Sequence, residues 1–133
     1  MKILSETNKY FGTEDDFKSF CVEVLNEVSK SNGLKEHGKV GFRWRPGDIY
    51  VVDEDYTITY KGYKLIIFIA FFSKRLDDLS YTISCMPFAG LSIPGVDRSK
   101  VSLDSAKVIG QMNSDLKYVL EKGYKYAEKS KEV

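Results

Sequence analysis

Histidine and cysteine are scarce in this chain, one and two respectively among 133 residues. A structural zinc site needs about four such ligands at close spacing, and the chain cannot supply them. His37 sits in the polar stretch Glu36-His37-Gly38 with no serine or cysteine beside it in a nucleophile pattern, and is expected on an exposed loop. Cys21 and Cys85 each fall inside a patterned apolar segment, where a free thiol behaves as a small buried hydrophobe. A disulfide would require the fold to bring those two segments together. Long apolar runs are missing as well. The longest, Leu65 to Phe72, has eight residues, far below the roughly twenty of a membrane span, and Met1 to Glu6 has no signal-peptide core. A soluble, cytoplasmic protein with no membrane partner is expected.

Charge of one sign is also lacking. Twenty basic groups face 19 acidic ones, and the balance holds locally: six against seven over residues 1–39, six against six over 40–88, and eight against six over 89–133. The basic stripe that neutralises a phosphate backbone is absent, which argues against a dedicated nucleic-acid binder. No glycine-rich phosphate loop or nucleophile elbow occurs, so no catalytic residue, cofactor or metal is assigned. Asp53-Glu54-Asp55 and Asp77-Asp78 come nearest to an oxygen-ligand set for a divalent cation, but both are expected as solvated turn tips.

What is present is core material. With 43% hydrophobic and 14% aromatic residues, the chain has the means to pack residues 1–133 as one α+β domain of ordinary size. Thr13 precedes three acids, Glu14-Asp15-Asp16, as at a capped helix start. Phe17, Phe20, Cys21, Val24, Leu25 and Val28 then recur at helical spacing, and Asn32-Gly33 closes the helix. From Val40 to Phe88 the pattern is strand-like. Val40, Phe42 and Trp44 alternate with Gly41, Arg43 and Arg45, and a hairpin about Pro46-Gly47 would set Arg45 opposite Asp48 and Arg43 opposite Tyr50. After a bend at Asp53-Glu54-Asp55, Tyr56 to Tyr60 turns through Lys61-Gly62 into Leu65 to Phe72. A further bend at Lys74 to Asp78 leads to Tyr81 to Met86. Five such strands with short turns predict an antiparallel meander. Ala89 to Leu103 reads as a long connection. Ser102 or Asp104 can cap a last helix, whose apolar face collects Val108, Ile109, Met112, Leu116, Val119 and Leu120. Gly123 interrupts that face and is expected to mark either close contact with the sheet or a point of fraying.

The run Leu65 to Phe72 has no polar alternation, so both of its faces, including Phe68, are expected to be buried. Either the two helices cover opposite faces of the sheet, or both lie on one face and a partner covers the other. The second arrangement would favour a homodimer or a stable complex.

Arginine supplies the best site candidates. Against sixteen lysines there are four arginines, and Arg43 and Arg45 flank the single tryptophan. Two guanidinium groups on one strand face, with Tyr50 beside them, could grip a phosphate or carboxylate and stack on a ring. Arg98 and Lys100 in the long connection are the second candidates, since long loops in small domains often carry function. The leading expectation is a non-catalytic binding protein that occupies a protein partner's surface, as small inhibitor or immunity proteins do. The alternative is a sensor of a small anionic ligand or nucleotide through Arg43, Arg45 and Tyr50. An enzyme using carboxylates and tyrosines ranks third.

Overall fold

In the computed structural model, which describes residues 11–36, 41–45, 49–87 and 93–131, the first helix begins where the acids predicted. The Thr13 hydroxyl accepts from the Asp16 N–H at 3.1 Å, and α1 (Glu14–Asn32) ends at Gly33, whose φ is 69°. Its buried residues are Phe17, Phe20, Cys21, Val24, Leu25 and Val28, the same stripe the spacing marks. His37, the Pro46-Gly47 turn with Asp48, and Ala89 to Ser92 lie outside the described residues.

The strands are β1 (Lys35–Glu36), β2 (Gly41–Arg45), β3 (Ile49–Tyr60), β4 (Tyr63–Lys74), β5 (Ser80–Pro87) and β6 (Ile93–Arg98). From β2 to β6 each pairs antiparallel with the next, a five-strand meander, and the two-residue β1 shares the outer edge of β3 with β2. With α2 (Ser105–Lys131) closing the chain, the architecture is the α+β arrangement of helix, sheet and helix that the sequence predicts. Asp104 caps α2, accepting from the Ala106 N–H at 3.0 Å. Gly123 is the close approach of α2 to the sheet: a Cβ there would stand 2.7 Å from Cys85 Sγ and 3.3 Å from Leu65 Cδ1.

Several local expectations are overturned. The bend at Asp53 to Asp55 does not occur; β3 runs straight through it, because β4 offers every residue a partner, with Asp53 opposite Ala70, Glu54 opposite Ile69 and Asp55 opposite Phe68. Instead of a solvated turn tip, Glu54 is buried, at 3% exposure. The long connection after Phe88 contains β6, an edge strand that accommodates Pro94, as edges do. The β2–β3 register also differs. Arg43 pairs with Val51, Trp44 with Tyr50 and Arg45 with Ile49, so three residues join the strands rather than two. A type II Pro-Gly turn twists the wrong way for a two-residue hairpin. A one-residue slip moves every neighbour to the other face.

The largest correction concerns β4. Leu65, Ile67, Ile69 and Phe71 are buried, whereas Ile66, Phe68, Ala70 and Phe72 are only half-buried. The buried set joins residues of both helices in one core cluster that contains none of the half-buried four. Both helices therefore lie on one face of the sheet, where α1 and α2 also pack against each other. Among the described residues no helix covers the opposite face, and none is long and apolar enough to cross a membrane.

Candidate functional site

The face that no helix covers among the described residues, called the open face below, is set by strand alternation. Each antiparallel partner pair shares a side, so the pairings map the surface row by row. Val51 stands beside Phe72; Asp53 beside Ala70 and Thr82; Asp55 beside Phe68 and Ser84; Thr57 beside Ile66 and Met86. An apolar stripe along β4 thus runs up the middle of the face, with hydroxyl residues of β5 on one flank and carboxylates of β3 on the other. Asp97 of β6 lies opposite Thr82 and is exposed. At one end Arg45 takes the register position next to Ile49, and Ile49 pairs with Lys74. Val51 is buried on this side, at 1% exposure, yet stands outside the core cluster.

The predicted site residues do not converge. Arg43 and Arg45 register on the rows of Val51 and Ile49. Tyr50 belongs to the helix side, its ring centroid 6.3 Å from that of Phe17. Arg98 registers with Tyr81, also on the helix side, and Lys100 lies beyond the end of β6, exposed, with φ at 53°. The expected grouping of two arginines with Tyr50 depends on the hairpin register that the structure replaces.

Arg98 has a structural engagement of its own. Its Nη2 donates to Asp115 Oδ1 at 2.8 Å and its Nε to Oδ2 at 3.1 Å. The Tyr81 hydroxyl donates to the same Oδ2 at 2.6 Å. This triad ties β5 and β6 to the middle of α2. Burial pushes the Asp115 carboxyl up, but the hydrogen bonds from Arg98 and Tyr81 together outweigh it and hold the group below its usual range. Burial and the bond to Asp115 push the Tyr81 phenol up, so it stays a neutral donor.

Glu54 is the opposite case. Tyr56 donates to its Oε2 at 3.3 Å, while Oε1 is buried without a hydrogen-bond partner. Burial first, then the nearby Glu36 carboxylate, raises its pKa. Asp53 and Asp55 alternate to the other side of the sheet, so the three neighbouring acids do not form one ligand set. The thiols of Cys21 and Cys85 are free and buried, and burial pushes that of Cys85 up to about 11. A thiol held protonated at neutral pH is a poor nucleophile.

The residues of the open face, Ile66, Phe68, Phe72 and Met86 with Asp55 and Asp97, were not singled out as a site by the sequence. The available signal was an eight-residue apolar run paired with two helices. Two helices, each about 10 Å wide, span about 20 Å and so cover one side of a sheet five strands across, at roughly 4.8 Å per strand. Comparison of the chain with protein-family models, with curated proteins and with solved structures returned no match.

Proposed function

We propose that this protein is a non-catalytic binding protein of small-inhibitor or immunity type, which lays the open face of its sheet on the surface of a partner protein. One observation carries the reading. Both helices pack on the same side, which leaves Ile66, Phe68, Ala70 and Phe72 only half-buried on the other. Contiguous apolar surface rimmed by polar groups is a mark of an interaction site. A face five strands wide and about eight residues long measures roughly 600 Å², near the ~800 Å² per partner of a standard interface. Aromatic residues at its centre suit the hot-spot pattern, in which a few desolvated rings dominate affinity.

Charge specifies the partner. Asp55 and Asp97 stand along the stripe, and Lys74 and the register positions of Arg43 and Arg45 lie at one end. The complementary surface is an apolar ridge flanked by basic side chains, with an acidic group at the end that meets Lys74. A cytoplasmic setting belongs to the same proposal.

The experiment compares two baits. Phe68→Lys puts a charge in the centre of the stripe, and Tyr118→Ala alters the exposed outer side of α2, where Tyr118 is 51% exposed. A protein captured by wild type and by Tyr118→Ala, lost with Phe68→Lys, and then bound in purified form with the same order of affinities supports the proposal. A mass near twice 15.2 kDa that Phe68→Lys halves would identify a second copy of the chain as the occupant instead. Capture unchanged by Phe68→Lys refutes the open face as the binding surface.

A further inference from the structure

Three tyrosines gather at the end of the β3–β4 hairpin, on the helix side and away from the open face. Tyr60 and Tyr63 flank the turn, and Tyr124 reaches them from α2. The Tyr60 and Tyr124 rings are 6.4 Å apart at 77°, and those of Tyr63 and Tyr124 are 5.8 Å apart at 62°. In each pair the edge of one ring meets the face of the other rather than stacking on it, and the rings of Tyr60 and Tyr124 both present a face to one cation. Glu121 stands at this corner, its Oε1 accepting from the Tyr60 hydroxyl at 2.7 Å, and Glu128 accepts from the Tyr124 hydroxyl at 3.3 Å. All five side chains are half-buried.

One group already sits there. The Lys61 ammonium lies 4.8 Å from the Tyr124 ring centroid and 5.4 Å from that of Tyr60, and it pairs with Glu121. Aromatic faces and a carboxylate around a cation are the recognition chemistry of alkylammonium groups. We propose that Tyr60, Tyr63, Tyr124 and Glu121 form an alkylammonium-binding site, which Lys61 occupies as an exchangeable internal plug. Lys61 is suited to leave. Its side chain is 49% exposed, and exposed ion pairs hold weakly. It is also carried on a two-residue turn, with φ of 49° at Lys61 and 88° at Gly62, so its departure disturbs no strand pairing. The ligand chemistry is a methylated or quaternary ammonium, either a free small molecule or a modified lysine on a peptide. This inference stands independently of the role proposed for the open face.

Lys61→Asn is the decisive variant, because Asn-Gly suits a turn with positive φ at both central residues and leaves the corner empty. Wild type and variant are titrated with tetramethylammonium chloride while tyrosine ring signals are followed by NMR, with sodium chloride at equal ionic strength as control. Saturable shifts confined to Tyr60, Tyr63 and Tyr124, about fivefold tighter in Lys61→Asn than in wild type, are the expected result. Glu121→Gln, at a surface position, should weaken binding without unfolding the chain. A trimethyl-lysine peptide binding more tightly than choline assigns the site to a partner's modified lysine; equal binding assigns it to a small molecule. If Lys61→Asn shows no saturable shift, or if the shift survives Tyr124→Leu in a folded protein, the proposal is overturned.

Discussion

Asp115→Ala tests whether the triad in the middle of α2 holds the last two strands to the helix. Asp115 is 6% exposed and Tyr81 fully buried, so removing the carboxylate leaves the Tyr81 hydroxyl without its 2.6 Å acceptor and opens a small cavity. An orphaned buried hydroxyl costs about 1–3 kcal/mol. Arg98→Ala keeps the Tyr81 bond but takes both guanidinium donors from a carboxylate whose side chain is 7% exposed, and a buried charge left without its partner is costly. A loss of about 2–3 kcal/mol is expected, a large share of the ~5–15 kcal/mol of a domain this size, and Arg98→Ala should cost a comparable amount. Urea denaturation at pH 7 measures both. The pH dependence carries a sign. The folded-state pKa of Asp115 lies below its ordinary value, so its contribution is complete above the unfolded pKa, near 3.9, and is lost as pH falls through the lower folded one. The gap between wild type and Asp115→Ala should therefore be constant from pH 5 to 7 and close only in stronger acid. A cost below about 1 kcal/mol for Asp115→Ala, or a gap that closes near neutrality, would refute the assignment of stability to this triad.

Glu54→Gln should act in the opposite direction. Burial raises the pKa of Glu54, so its neutral form suits the fold: stability is highest below the unfolded pKa and declines as pH rises through the folded one. The glutamine variant should be more stable than wild type by about 1 kcal/mol at pH 7 and equal to it near pH 3, as read from melting midpoints across that range. Gly123→Ala should destabilise despite alanine's advantage in a helix, because its Cβ would fall 2.7 Å from Cys85 Sγ. A loss of about 1–3 kcal/mol is expected, and an increase in melting temperature would show that α2 can lift from the sheet without cost.

Both helices were legible because their signals are local. Thr13 and three acids announce the start of α1, and its stripe of six apolar residues needs no knowledge of the sheet. Gly123 was legible in part, since a glycine within an apolar stripe marks either close contact or fraying, and the packing of α2 on Cys85 and Leu65 selects the first. The acids at 53–55 misled because three carboxylates look like a turn; only the pairing with Ala70, Ile69 and Phe68 keeps them in a strand, and pairing is non-local. β6 was hidden by Pro94 and Gly95, which read as loop until an edge position accommodates them. Arg98 resembled a recognition residue because its partner, Asp115, lies seventeen residues further on. The sequence left undecided whether the helices cover both faces of β4 or one, because an apolar run of eight looks the same in either case, and that choice lies in the packing of distant helices.

A charge placed on each side of β4 compares its faces directly. Ile67 is fully buried beneath the helices, and Phe68, its neighbour in sequence, lies half-buried on the open side. Ile67→Lys should fail to fold, since an unpaired charge in the core costs more than the whole stability of the domain. Phe68→Lys should fold cooperatively, within about 2 kcal/mol of wild type, with a native circular-dichroism spectrum. A Phe68→Lys protein as unfolded as Ile67→Lys would mean that the chain covers this face itself, and no open surface would remain for a partner to occupy.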